Sequence, residues 1–259
     1  NVVAFFFMAI GETKPKQELL EYETALRELK NELVAHSQDF VNRLLTDILT
    51  TKNYDITPLS PELIDTLKRE YQSLKKFTNP PLVTHTIDEE HDPIVIRCKE
   101  NELTNSVDDN VKIVFVPAYL DGHDGLINIQ YYEVVSGCHL GIFPSYYEPW
   151  GYTPLESLAC SVPAITTSLT GYGQYMKDKV SQSAQGLHIV TRTQQKDQVV
   201  NQLYTIFNDY VRLSTSERVD KKIQAHTLAS YADWKQLLKH YIDAHRQALH
   251  VKGHQLKNK

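Results

Sequence analysis

Gly137-Cys138-His139-Leu140-Gly141-Ile142-Phe143-Pro144-Ser145-Tyr146-Tyr147-Glu148-Pro149-Trp150-Gly151-Tyr152-Thr153-Pro154-Leu155-Glu156 runs from a short apolar segment, through a loop crowded with aromatics, proline and glycine, into the start of a helix. Leu140–Phe143 reads as a buried strand. In open α/β sheets ligands bind where strands end in such loops, and the aromatic rings offer flat contact area. Thr153 at N-cap, Pro154 at N1 and Glu156 at N3 spell a capping box. The amides of Gly151 to Leu155 then face outward from a helix N-terminus, a setting suited to phosphate. Glu156 reads either as a capping group or as an acceptor for a ligand hydroxyl, and one oxygen can serve each role. Glu148 reads either as a solvated loop carboxylate or as a carboxylate facing positive charge that develops on a sugar ring. Seven residues separate the two, so a loop and one helix turn are expected to bring both to one cleft.

Working outward, Pro163–Thr166 is a further strand, followed by Ser168-Leu169-Thr170-Gly171-Tyr172-Gly173-Gln174. The glycines Gly171 and Gly173 read as a tight turn or as a candidate ligand loop where backbone approaches closely. Val111–Val116 and Leu187–Val190 are strands. Leu82–Ile87 is a shorter one, and Val2–Ile10 is an apolar run expected to be a fully buried parallel strand. Pro93–Asn101, Leu126–Cys138 (with Tyr131 and Tyr132 early in it), Asp197–Arg212 and Tyr231–Leu249 suit helices. Asn105–Asn110 and Asp121–Gly125 read as surface turns. Strands alternating with helices predict an α/β fold with a parallel sheet.

The stretch 12–79 stands apart as a helical insertion. Leu19, Tyr22, Leu26, Leu29, Leu33, Phe40, Leu44 and Ile48 recur at helical spacing, and the helix is expected to stop near Thr50–Asn53. Pro61–Phe77 forms a second helix with Ser60 as N-cap. The pair reads either as a cover for the sheet or as a coiled-coil-like oligomerisation arm. Residues 1–10 and 80–250 are expected to form one domain, and 251–259 a flexible basic tail.

Composition narrows the function classes. The chain of 259 residues is 41% hydrophobic and 23% charged, with a formal net charge of -5. That is globular composition and not that of a general nucleic-acid binder. Cys98, Cys138 and Cys160 are odd in number and form no CxxC pair, which argues against a disulfide framework or structural zinc and fits a reducing cytosol. The 11 histidines show no paired ligand spacing, so no metal is expected. The run Val2–Ile10 lacks a basic leader and is too short to span a bilayer, so no membrane partner is expected.

Val135–Glu156 closely resembles glycogen synthases of the animal and fungal type, glycosyltransferase family 3. So do Pro80–Glu89, Val111–Tyr119, Thr166–Met176 and Asp233-Trp234-Lys235. The run from Ser145 to Pro154 is the most specific part. The resemblance covers nearly the whole chain and thins in the long helices. It implies a GT-B fold of two Rossmann-like domains facing a deep cleft, with this chain as most of the second. It also implies glucose transfer from a nucleotide diphosphate glucose (UDP-glucose favoured over ADP-glucose) to the non-reducing end of an α-1,4-glucan, glycogen, with retention.

By the same resemblance, Glu148 is the catalytic carboxylate facing the donor glucose. Glu156 holds the ribose, Tyr131 stacks on the base, and the backbone of Gly151 to Thr153 meets the diphosphate. Trp150 and Tyr152 belong to the same donor-binding loop. No cofactor or metal is implied; a homo-oligomer is expected from the helical arm, and a cytoplasmic setting from the cysteines. Two departures qualify the likeness. The family's donor-phosphate arginine and lysine fall upstream of Val2, so the isolated chain is expected to be inactive. Where regulated members carry a dense arginine cluster for a sugar phosphate, this chain has only Arg212, Arg218, Lys221 and Lys222, so weak or no activation by glucose 6-phosphate is expected. A related retaining transferase with another acceptor, or a non-catalytic oligomerisation module, stands as the alternative.

Overall fold

A computed structural model describes residues 2–11, 13–50, 61–74, 80–180 and 186–257. The chain divides into two compact units, 1–129 and 130–259. In the first, β1 (Val2–Phe7) and β2 (Val111–Val116) pair in parallel, from Val2 opposite Val111 to Phe7 opposite Val116. Both are runs of β-branched and aromatic residues, which suit a pleated strand. Parallel neighbours need a long crossover. It contains α1 (Gln17–Thr50), α2 (Pro61–Leu74) and α3 (Pro93–Glu100). Ser60, expected as an N-cap, and residues 75–79 lie outside the described residues, as does the expected stop of α1 beyond Thr50.

β1 pairs as expected but is not fully buried: Val3 is 51% exposed and Phe5 49%. Pairing satisfies the backbone, whereas burial requires something on each face. Among the described residues the core of this unit gathers on β2 instead, where Phe115 packs with Val83 and Val95. The strand expected over Leu82–Ile87 is reduced to two isolated bridges, Val83 with Phe115 in parallel and His85 with Pro15 antiparallel. Thr84 N–H donates to Phe115 O, but Thr86 N–H turns away to Lys14 O, so the pairing ends after two residues.

Two loops differ from expectation for definite reasons. Asn105, expected in a surface turn, is buried. Its Nδ2 donates to the carbonyls of Pro80 and Ile113, and its Oδ1 accepts from Ile113 N–H, so the amide acts as one more rung beside β2. The helix expected from Leu126 begins only at Tyr131. The Asp124 carboxylate accepts from the N–H groups of Leu126, Ile127 and Asn128, holding them in a turn.

In the second unit, α4 (Tyr131–Gly137) leads to β3 (Gly141–Ile142), β4 (Ala164–Thr167) and β5 (Leu187–Val190). The strands lie in the order β3-β4-β5, all parallel. Alternation along β4 sends Ala164 into one cluster with Leu158, Tyr172, Met176, Leu187, Ala225 and Leu228. Its neighbour Ile165 goes to the opposite face, with Val190 and Val199. Helices therefore cover both faces: α5 (Tyr152–Ala159), α6 (Gly171–Met176) and α8 (Thr215–Ala229) supply the first cluster, and α7 (Lys196–Val211) the second.

α8 was not among the expected helices, although Ser214-Thr215-Ser216-Glu217 carries its start signal. Ser214 and Glu217 form a capping box in the structure. After a 3₁₀ turn at Ser230–Ala232, α9 spans Trp234–Lys257. The tail expected to fray from Val251 is thus helical through 257. Gly253 weakens that turn by only about 1 kcal/mol, too little to stop a helix already nucleated.

Candidate active site

Because β3, β4 and β5 are parallel, the loops that follow them leave the sheet at one edge. The first loop carries Glu148. It is tied to the start of α6 by main-chain bonds: Gly171 N–H donates to Glu148 O at 3.1 Å and Tyr172 N–H to Trp150 O at 2.6 Å. Thr167 Oγ1, at the end of β4, donates to Ser145 O at 2.8 Å. Glu148 thus pairs with Thr170 as a strand would. Its side chain is half-buried, with Ser145 Oγ 3.4 Å from Oε2.

The two glycines of the second loop serve this contact. A Cβ on Gly171 would overlap Pro149 O and lie 3.1 Å from Trp150 Cα, and one on Gly173 would overlap Thr167 O. The backbone that approaches them closely is the protein's own. Trp150 is drawn inward as well, with its ring 5.6 Å from Tyr172 and 5.4 Å from Tyr175. It anchors the loop to the core rather than standing free as a stacking surface.

The expected capping box at Thr153 is absent. α5 starts two residues earlier, with Gly151 as N-cap at φ 104° and no side-chain cap. Thr153 and Pro154 then occupy N2 and N3. Proline is tolerated there because the first amides of a helix have no intrahelical acceptor. The positive φ follows from the loop's attachment to α6 and favours glycine. A Cβ at Gly151 would also sit 3.2 Å from Glu148 Oε2. The structure therefore places Glu148 beside an α5 N-terminus that no side chain caps. Tyr152 there is exposed, and Thr153 is half-buried.

Glu156, released from capping, faces α4. Tyr132 Oη donates to Glu156 Oε1 at 3.0 Å. Tyr131 lies edge-on to Tyr132, with ring centroids 5.2 Å apart. Burial, and then the neighbouring Glu156 carboxylate, push the Tyr131 hydroxyl up to about 12. The hydrogen bond to Glu156 pushes Tyr132 up as well. Both rings thus stay neutral donors around an acceptor carboxylate. Tyr131 and Glu156, singled out separately from the sequence, are brought together; Tyr132 enters as their third member. Among the described residues no three His, Cys, Asp or Glu side chains converge as a metal site would require.

Arg192, after β5, was not singled out. Its guanidinium lies 3.3 Å from the centre of the Tyr146 ring, and Nη1 donates to Pro144 O at 2.7 Å. No local motif marks it, because the contact spans 48 residues of sequence.

Parallel strands with helices on both faces, and a carboxylate-bearing loop at the carboxyl edge, are the parts of a Rossmann-like domain, and its family match is to a glycosyltransferase family. The family model described as Glycogen synthase matches residues 1–256, and the chain belongs to the glycogen synthase family. It is 34% identical to a Neurospora crassa glycogen [starch] synthase, covering 96% of this chain and 36% of that protein. Against glycogen [starch] synthase isoform 2 of Saccharomyces cerevisiae it is 32% identical, covering 96% and 38%. Against the human liver glycogen [starch] synthase it is 33% identical, covering 96% and 36%. The chain thus spans well under half the length of these relatives.

Proposed function

We propose that this chain handles the donor in a retaining glucosyltransferase that extends an α-1,4-glucan from UDP-glucose, within a GT-B fold. The observation that carries the reading is the joint presentation of two carboxylates by one loop–helix unit. Glu148 is held by main chain at the strand edge, and Glu156 is held by Tyr132 one turn into α5. Membership of the glycogen synthase family supports it.

In this reading Glu148 faces the donor glucose and stabilises positive charge at the anomeric carbon. The first amides of α5, at Tyr152 and Thr153, meet the diphosphate; the missing side-chain cap supports this, since no side chain competes for the first-turn amides. Glu156 accepts from a ribose hydroxyl with the oxygen that Tyr132 does not hold, and Tyr131 stacks on the base. The leaving phosphate helps deprotonate the incoming hydroxyl on the same face, so the barrier is lowered by positioning and electrostatics rather than by a covalent nucleophile.

The exposed apolar residues Leu26, Leu33, Val41 and Leu45 along α1 favour a homo-oligomer assembled through the helical insertion. The three free cysteines fit a cytoplasmic setting. On α8, Arg218 is engaged, donating to Val211 O at 3.1 Å, and we expect little activation by glucose 6-phosphate.

Initial rates of glucan extension by the full-length protein, with UDP-glucose and ADP-glucose compared, test the assignment. Glu148→Gln is expected to lower the rate by about 10²–10³-fold, as loss of one preorganised group does. No extension with either donor would defeat the reading.

A further inference from the structure

We propose that Arg192 is a positioning residue that latches the Glu148 loop to the carboxyl end of β5. The inference rests on the reading of Glu148 given above. Three contacts made by Arg192 converge on neighbouring strand-end loops. The guanidinium stacks on Tyr146 with Cζ 3.3 Å from the ring centre. Nη1 donates to Pro144 O at 2.7 Å. The Arg192 main-chain N–H donates to Ser168 Oγ, on the loop after β4, at 3.1 Å.

The base of the latch is itself fixed. Gln202 on α7 accepts from Thr191 N–H at 2.9 Å and donates to Thr191 O at 3.0 Å. A continuous set of contacts thus runs from α7 through Thr191 and Arg192 to Pro144 and Tyr146, two residues before Glu148. The main-chain bonds to α6 hold the loop from Glu148 onward; Arg192 holds its entry. Without it, among the described residues, Pro144 to Tyr147 keep one hydrogen bond to a strand end, from Thr167 Oγ1 to Ser145 O, beside the contact of Ser145 Oγ with Glu148 inside the loop. An arginine suits this role because one planar group stacks on a ring and donates in its own plane, which a lysine ammonium does not reproduce. Its Nε is buried with no hydrogen-bond partner among the described residues, so ring and carbonyl define its pose.

The test uses the full-length protein with Arg192→Ala, Arg192→Lys and Glu148→Gln. Amide hydrogen exchange over residues 144–151 reads the latch directly. In Arg192→Ala it is expected to quicken about tenfold there while other segments keep the wild-type pattern, which also shows that the variant folds. Glucan-extension kcat is expected to fall about 10- to 100-fold, with donor KM and UDP affinity within about twofold of wild type. Arg192→Lys should fall between the two. Unchanged exchange over 144–151 would overturn the latch. So would loss of UDP affinity in place of kcat, which would make Arg192 a ligand contact. An inactive wild type, or a fully active Glu148→Gln, would instead strike the reading of Glu148, because the exchange measurement still decides the latch.

Discussion

The Tyr132 hydroxyl donates to Glu156 Oε1 at 3.0 Å, joining the start of α4 to the first turns of α5. One oxygen of Glu156 is thereby committed within the protein, and in the reading proposed above the other meets a ribose hydroxyl. Tyr132→Phe removes that donor. The hydrogen bond is to a carboxylate but exposed, so water competes for both partners and its loss has a modest effect. UDP binding measured by titration calorimetry should weaken by roughly fivefold. Unchanged affinity would show that Tyr132 does not orient Glu156.

Gly171 admits no side chain. A Cβ there would meet Pro149 O and the Trp150 backbone, and backbone cannot rotate aside as a flexible side chain does. Gly171→Ala should cost about 3 kcal/mol of stability in chemical denaturation, the upper range for overpacking. It should also push the Glu148 loop away from α6 and lower kcat. A variant with wild-type stability would contradict the packing.

Trp150 gives a way to separate anchoring from binding. Its ring packs against Tyr172 and Tyr175. Trp150→Ala is expected to destabilise the unit by about 3 kcal/mol. Trp150→Phe should restore most of that stability and leave UDP affinity near wild type. Loss of UDP affinity in the stable Phe variant would instead place the ring at the ligand.

Tyr131 should titrate late. Its hydroxyl is pushed up to about 12 by burial and then by Glu156. The folded value is above the unfolded one, so the contribution to stability is fully present below about pH 10 and is lost as pH rises toward 12. Ultraviolet absorbance at alkaline pH should show a late phenolate component that shrinks in Tyr131→Phe. An unchanged titration curve in that variant would refute the assignment.

The strands were the most readable part of the sequence. Val111–Val116, Ala164–Thr167 and Leu187–Val190 are dense in branched residues, and covered sheets require such runs. The placement of Glu148 in a strand-end loop and of Glu156 in the first turns of a helix was readable too, because both are local features. What failed depended on distant partners. Thr153-Pro154-Leu155-Glu156 spells a capping box, yet Trp150 O is bonded to Tyr172 N–H across the loop, and the helix starts at Gly151 with its φ reversed. Val2–Ile10 is apolar enough to be buried, but burial is conferred by neighbours and not by composition. Asn105 looked like a turn residue because nothing nearby in sequence announces that it pairs with Ile113 and Pro80. Arg192 left no trace at all, since its partners lie in a loop nearly fifty residues earlier.

The main chain of Glu148 is held by peptide groups, through Gly171 N–H and its pairing with Thr170, and not by the rings of Tyr147 and Tyr152. Tyr147 and Tyr152, 77% and 68% exposed, flank that carboxylate without supporting it. The loop therefore separates two inheritable properties: where the charge sits, and which surface surrounds it. On the reading proposed above, substitution at Tyr147 or Tyr152 changes the surface around the carboxylate in a single mutational step and leaves the peptide groups that hold it in place.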